Sequence, residues 1–385
     1  MTPPSPRLHL ELGPVLVNRT AVYQMCKAAP RALAARGFEV ASSALVARLN
    51  LDAEPLNRDE GRWFRRSERW LRGAGYNPGF FLKTRHLTGL IPRLRHAKGL
   101  SVFFDPVYPL FFGGLDRGVV LAYDASPVTD PDWHPPGVGL LYDVAFRFLA
   151  RGRFHVVCSS QNTADHLRAN WGFAPSRLTV LPLGLFSLDA PAVASDKYPE
   201  APFFLFVGSL DARKNVGGLI HAYRASGLFR SHGIRLRLIG YCHDEFHPIR
   251  KIADRTPGVD VGGFATPAEM AACYRDCLAF VYPSMLEGFG LPLLEAMHHG
   301  CLCLSTICGA SPEVSGDAAV YVNPYDFRDI VRGLRRLVAM PEAERQRLRH
   351  AARERSMMFT WSRFYDGLAD VLRQVADEDS ESIKN

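Results

Sequence analysis

Glu287 and Glu295 stand in the string Pro283-Ser284-Met285-Leu286-Glu287-Gly288-Phe289-Gly290-Leu291-Pro292-Leu293-Leu294-Glu295. Two carboxylates so spaced, with glycines and a proline between them, suit the recognition of a polyhydroxylated anion. Gly288 and Gly290 let a ligand approach the backbone closely. Pro292 suits the first turn of a helix. The start of that helix offers free N–H groups and a partial positive charge, which is an anion site. Carboxylates on either side of a bound phosphate accept hydrogen bonds from hydroxyls. A nucleotide sugar has that layout: phosphate in the middle, sugar at one end, ribose at the other.

A second string, Phe206-Val207-Gly208-Ser209-Leu210-Asp211-Ala212-Arg213-Lys214-Asn215, turns from a strand into a helix. Arg213 and Lys214 fall at the carboxyl end of that strand, where α/β folds bind ligands. Two cations there neutralise a diphosphate leaving group without a metal. The plainer reading is a solvated pair, but cations are mildly unfavourable at a helix start, and that placement favours function. Other candidates read as structure. Asp130-Pro131-Asp132 has the spacing of a metal clamp but lies in a proline-rich loop, where a turn is the better reading. His298, His299, Cys301, Cys303 and Cys308 fit no zinc spacing, and Cys273 and Cys277 lie one helical turn apart; these cysteines read as small buried hydrophobes. No metal site is expected. His134, in Trp133-His134-Pro135-Pro136, is a loop histidine.

These strings need strands and helices to hold them. Apolar strand candidates are Leu8–Leu12, Ser101–Phe104, Gly118–Tyr123 and Phe154–Ser159. A second series follows: Phe203–Gly208, Arg235–Ile239, Val259–Val261, Leu278–Tyr282, Leu302–Thr306 and Ala319–Val322. Helical patterns at Asn215–Ser226, Pro267–Arg275, Pro292–His299 and Phe327–Met340 separate members of the second series. Continuous apolar strands alternating with helices predict parallel sheets covered on both faces. Two series predict two doubly wound, Rossmann-like α/β domains facing a cleft. The chain has 385 residues, enough for two large domains. The proline-bearing stretch Phe186–Pro202 marks the divide, giving domains over 1–190 and 191–360 and a terminal segment over 361–385.

Hydrophobic residues at 47% and charged residues at 22% exclude a disordered or fibrous chain. Eight cysteines are too few for a disulfide scaffold. Met1 to Pro6 is a polar lead, not a targeting segment, and no apolar run reaches the ~18 residues of a membrane span. A cytoplasmic protein is expected. The net charge of +7 is uneven: residues 1–190 carry 23 Lys+Arg against 15 Asp+Glu, and residues 191–385 carry 23 against 24. Much of the excess lies in 54–98, where Arg62, Arg65, Arg66, Arg69 and Arg72 interleave with Trp63, Phe64 and Trp70. This is either a solvated amphipathic face or a patch over 58–98 for an anionic acceptor or for anionic lipid on the inner face of the cytoplasmic membrane. No helix-turn-helix, RNA-recognition or zinc-finger pattern accompanies it, so nucleic acid is not an expected partner.

The two strings resemble glycosyltransferase family 4, whose members have the GT-B fold. Glu287 and Glu295 match the family's E-x7-E within EGFGLPLLE, and Gly208 through Asn215 resembles its G-x-L-x-x-R-K-N string. Gly300, Pro312-Glu313-Val314 and Trp361 look like its downstream pattern. Ala122-Tyr123-Asp124, Ser159 and Leu181-Pro182-Leu183-Gly184 fall where the family places similar residues. The resemblance implies a retaining, metal-independent hexosyltransferase with no cofactor. Its partners would be a nucleotide-sugar donor, with a mannose- or rhamnose-like hexose, and a lipid-linked or polysaccharide acceptor. It implies that Glu295 holds the ribose and Glu287 the donor sugar. Gly208, Ser209, Gly288, Phe289, Gly290 and Leu291 would line the donor. Lys214 and Arg213 would meet the diphosphate, and Gly263 and Phe264 the base. Asp124 joins the catalytic set, and Asn18, Arg19, Tyr123 and His134 the acceptor set. A terminal helix from Trp361 would cross back to the first domain. Tyr123 stands where the family often has a histidine, and the stretch after the first strand has Gly13 as its one glycine. Other readings are an epimerase or phosphorylase on this fold, or a sugar-nucleotide-binding protein without turnover.

Overall fold

The computed structural model describes residues 6–16, 21–44, 47–48, 99–112, 115–134, 136–185, 201–240, 248–263 and 265–382. They fall into two units, Met1–Pro182 with Ser362–Asn385, and Leu183–Trp361. The expected divide at Phe186–Pro202 lies mostly outside the described residues.

In the first unit the described strands are β1 (Arg7–Glu11), β2 (Glu39–Ala44), β3 (Ala47–Arg48), β4 (Leu100–Phe103), β5 (Arg117–Ala122), β6 (Arg153–Cys158) and β7 (Leu178–Val180). Their order is β3-β2-β1-β4-β5-β6-β7. The pairs are parallel except β2 with β3, an antiparallel edge closed by Ser43 opposite Arg48. The middle strands are buried along their length, as their continuous apolar sequences require. Phe103, Phe146 and Phe154 pack into one core cluster with Val120, Val156 and Leu167. The last helix, Trp361–Ser382, runs almost wholly within this unit. Phe364, Leu368, Leu372 and Val375 recur at helical spacing and are buried. The Tyr365 hydroxyl donates to the Met25 carbonyl at 2.8 Å, and Arg36 meets Asp366 at 2.8 Å.

In the second unit β8 (Phe203–Val207), β9 (Arg235–Ile239), β10 (Val259–Gly263), β11 (Ala279–Val281), β12 (Cys303–Thr306) and β13 (Ala319–Val322) form a parallel sheet. Its order is β10-β9-β8-β11-β12-β13. Phe203, Phe204, Leu205 and Phe206 are buried along β8. Helices Val216–Ser226, Pro267–Asp276 and Leu291–His298 lie between successive strands, and Phe327–Ala339 follows the last one. The order reverses between β8 and β11, so their carboxyl ends flank the switch point where doubly wound sheets bind ligands. The two strings singled out in the sequence are the loops after these two neighbouring strands.

Candidate active site

The loop after β8 is held by its own side chains. Gly208 leaves the strand at φ +147, and its N–H donates to the Ile239 carbonyl at 2.9 Å. Ser209 Oγ donates to Asp211 Oδ2 at 2.6 Å, and Asp211 Oδ1 accepts the Lys214 N–H at 3.0 Å. Asn215 adopts φ +54 ahead of helix Val216–Ser226, and its Nδ2 donates to the Pro324 carbonyl at 2.9 Å. This turn drives the Lys214 side chain inward, where the residue is 7% exposed.

The loop after β11 meets it there. Lys214 Nζ donates to Glu287 Oε1 at 2.5 Å and to the Tyr282 hydroxyl at 2.6 Å. Ser284 Oγ donates to the same Glu287 oxygen at 2.5 Å. Arg213 Nη1 lies 3.5 Å from Glu287 Oε2 and donates to the Leu286 carbonyl at 3.1 Å. Backbone bonds stitch the loops together: the Met285 N–H donates to the Arg213 carbonyl at 2.9 Å, and the Ala310 N–H to the Glu287 carbonyl at 3.0 Å. Burial by itself would raise the Glu287 carboxyl, but Lys214 and then Arg213 pull it below its ordinary value. Burial lowers the Lys214 ammonium, and Glu287 opposes that fall. The result is a buried ion pair with a second cation, Arg213, beside it, and the Asp211 carboxylate also acts on Lys214.

Gly290, at φ +98, precedes helix Leu291–His298, with Pro292 in its first turn. The Phe289 ring is 6% exposed and packs edge-on against Phe359. What Phe289 presents to a ligand is therefore backbone. Glu295 lies on the same helix and is half-buried; its Oε2 accepts the Tyr274 hydroxyl at 3.0 Å. Burial pushes its carboxyl up to about 7, against that hydrogen bond. Gly263 ends β10 at φ +66, and Phe264 lies outside the described residues.

The first unit holds a separate polar group. Asp124 Oδ1 accepts the N–H and hydroxyl of Ser126 at 3.1 and 2.9 Å, and Ser126 Oγ lies 2.9 Å from His134 Nε2. The Tyr123 hydroxyl donates to the Phe104 carbonyl at 2.9 Å, so its proton is committed to the backbone. Asn18 and Arg19 lie outside the described residues. Asp130 Oδ2 accepts the Thr129 hydroxyl at 2.7 Å beside the short turn Pro131–Trp133.

Sequence reasoning missed several residues here. Tyr282 and Ser284 complete the Lys214–Glu287 cluster, and an apolar strand end gives no sign of that. Asp105 follows β4; it accepts the Tyr142 hydroxyl at 2.8 Å and the Val107 N–H at 2.9 Å, and burial raises it to about 6. Glu11 ends β1, 1% exposed, accepting Ser43 Oγ at 2.8 Å. A carboxylate at the end of a buried strand, as at Glu11, is the signal that could have found it.

Residues 192–355 match the family model described as glycosyl transferases group 1. O-antigen chain mannosyltransferase B of Escherichia coli is 28% identical over 263 residues, covering 62% of this chain and 66% of that protein. The serotype-specific mannosyltransferase WbdA of Escherichia coli is 31% identical over 196 residues, covering 48% of this chain and 24% of that one. The chain thus spans less than two thirds of the length of either relative. Among solved structures, an α,α-trehalose-phosphate synthase from Burkholderia vietnamiensis superposes with a TM-score of 0.67 at 15% identity, covering 96% of this chain and 100% of that one. WaaG, a glycosyltransferase involved in lipopolysaccharide biosynthesis, gives 0.62 at 16% identity, covering 95% and 99%. These likenesses show the architecture: the chain has the GT-B fold, and residues 192–355 of its second unit are the part similar to glycosyl transferases group 1.

Proposed function

We propose that the chain is a retaining hexosyltransferase of family 4 type, moving a sugar from a nucleotide donor to a polysaccharide or lipid-linked acceptor. The observation that carries this reading is the Lys214–Glu287–Arg213 cluster at the switch point of the second sheet. An anionic diphosphate suits its two cations, and the N-terminus of helix Leu291–His298 adds backbone N–H groups beside it. The mannosyltransferase names of the two Escherichia coli relatives favour a mannosyl donor.

The chemistry follows from the charges. As the bond from the anomeric carbon to the diphosphate oxygen lengthens, negative charge gathers on the diphosphate. Lys214 and Arg213 lie where they stabilise that charge, which lowers the barrier only to the extent that it grows in the transition state. Glu287, held ionised by the same two cations, accepts hydroxyls of the donor sugar. Glu295 accepts the ribose hydroxyls once its own proton has left. The acceptor hydroxyl attacks from the face the diphosphate leaves, and the departing oxygen takes its proton, which preserves the anomeric configuration. In the first unit Asp124 is the catalytic candidate and His134, beside it through Ser126, an acceptor-side candidate.

The test is turnover with a panel of mannosyl and other hexosyl nucleotides and a lipid-diphosphate acceptor, with the product's anomeric configuration read by NMR. Thermal shifts with the same panel report which donor binds, since a ligand of the folded state raises stability. Hydrolysis or epimerisation without transfer, or an inverted product, would replace this reading.

A further inference from the structure

Helix Glu342–Ser356 sets Arg349 and Arg353 one turn apart on one face. That face lies against Gly300, so closely that a Cβ there would sit 2.3 Å from Arg353 Nε. The two guanidinium groups, with Arg275, His299 and His350, line a cavity of about 350 Å³ whose described lining holds no carboxylate. None of its lining residues belongs to the Lys214 or Glu287 loop. We infer that this cavity is a second anion site, built for a phosphoryl group as free phosphate or as the phosphomonoester of a small metabolite.

The guanidinium groups differ in what they already hold. Arg275 is spent on Asp276, with both contacts at 2.7 Å. Arg349 Nη2 reaches the Leu278 carbonyl, and Arg353 Nη2 the His299 carbonyl, at 3.4 Å each, the long end of hydrogen bonding. Arg349 Nε is buried and has no acceptor among the described residues. Two cations that converge on one opening repel each other, and a buried donor without an acceptor is unfavourable. A phosphoryl group removes both defects, because its oxygens match the guanidinium fork and its charge separates the two cations. The volume exceeds that of one phosphate and suits a small phosphomonoester. Tyr274 forms one wall: its ring stacks on His299 with centroids 5.2 Å apart, and its hydroxyl holds Glu295.

The experiment is calorimetry and thermal unfolding of the full chain with inorganic phosphate, glycerol phosphate and chloride at matched ionic strength. Saturable binding of phosphate or glycerol phosphate, with no response to chloride, is expected. Tighter glycerol phosphate identifies the phosphomonoester as the ligand, and tighter phosphate identifies the free anion. Arg349→Gln with Arg353→Gln should weaken binding by about tenfold or more, whereas Lys214→Ala should keep it. If the double variant fails to fold, the exposed Arg353→Gln alone should still show a loss of about threefold or more. An equal response to chloride overturns the inference. So does binding that survives the arginine changes or disappears with Lys214→Ala, since the anion would then sit on the diphosphate loop. These outcomes are read without turnover, so they stand apart from the proposed transfer reaction.

Discussion

Lys214 and Glu287, 73 positions apart, meet at 2.5 Å with side chains 8% and 5% exposed. Each is the principal counter-charge of the other, and the pair joins the two loops of the switch point. Breaking a buried pair from one side leaves an uncompensated charge and costs about 3–5 kcal/mol. Glu287→Gln should therefore lower stability by that order. Lys214→Met with Glu287→Gln should cost less than the sum of the two single changes, because contacting residues are not additive. Denaturant titration of the four chains gives the coupling; strict additivity would mean that the pair contributes nothing.

Lys214 also bears on turnover. If it stabilises the leaving diphosphate, Lys214→Ala should lower kcat by about 10²-fold or more, with a smaller loss of donor affinity. Saturating donor with near-normal turnover would remove Lys214 from the mechanism. If Lys214 and Arg213 meet the diphosphate charge, wild-type activity should survive EDTA. Activity lost to EDTA and restored by a divalent ion would turn attention to Asp130 and Asp132.

On the proposed reading, Glu295 should couple nucleotide binding to pH. Its folded-state carboxyl is raised from 4.5 to about 7 by burial. Between those values the folded chain holds a proton that the unfolded chain has released, so stability falls as pH rises through the window. At pH 8 Glu295→Gln should be more stable than wild type by about 1–3 kcal/mol, and at pH 4 the two should agree. Ribose hydroxyls donate best to the ionised carboxylate, so wild-type affinity for a nucleoside diphosphate should rise from pH 6 to pH 8. In Glu295→Gln that rise should vanish and the affinity at pH 8 should drop by about tenfold. Calorimetry at the two pH values decides it; a pH-independent wild type would detach Glu295 from the nucleotide.

The sequence made the site's loops readable because their punctuation is local. Gly208 and Gly290 both take positive φ, and Pro292 falls in the first turn of its helix, so strand ends and helix starts could be placed from residue type alone. The buried strands of both sheets were legible for the same reason, as apolar runs. Glu39–Ala44 was not, because its Ala and Ser residues lack the branched and aromatic character of a strand. The partners of the charged pair were equally hidden: that Lys214 reaches Tyr282 and Glu287 depends on the pairing of β8 with β11, which is not written in either loop.

Gly309 is another long-range constraint. It stands at φ +60, and a Cβ there would lie 2.8 Å from both the backbone N and O of Glu287. Gly309→Ala should push the Glu287 loop, cost about 1–3 kcal/mol and weaken nucleotide binding. Gly233, at φ +66 with nothing within 4 Å of a Cβ, is the control. Gly233→Ala carries the backbone strain of about 1–2 kcal/mol alone. Equal effects at both sites on nucleotide affinity would show that the contact with Glu287 is immaterial.

The basic aromatic segment over 54–98 lies outside the described residues, and its charge remains a property of the sequence. No helix among the described residues is long and apolar enough to cross a membrane. Residues 54–98 carry 11 basic side chains against 4 acidic ones, interleaved with Trp63 and Trp70. Each cation near an anionic leaflet contributes about 1 kcal/mol, and the attraction fades within a Debye length. Indole rings add contacts at headgroup depth. The expected outcome is co-sedimentation with phosphatidylserine-bearing vesicles, none with neutral vesicles, and release by added salt. Arg65→Glu, Arg66→Glu and Arg69→Glu together should abolish vesicle binding while nucleotide affinity stays at the wild-type value. If the wild-type chain stays in the supernatant with anionic vesicles at low salt, the segment is a solvated face. A soluble glycan acceptor would then fit the charge pattern better than a membrane-embedded one.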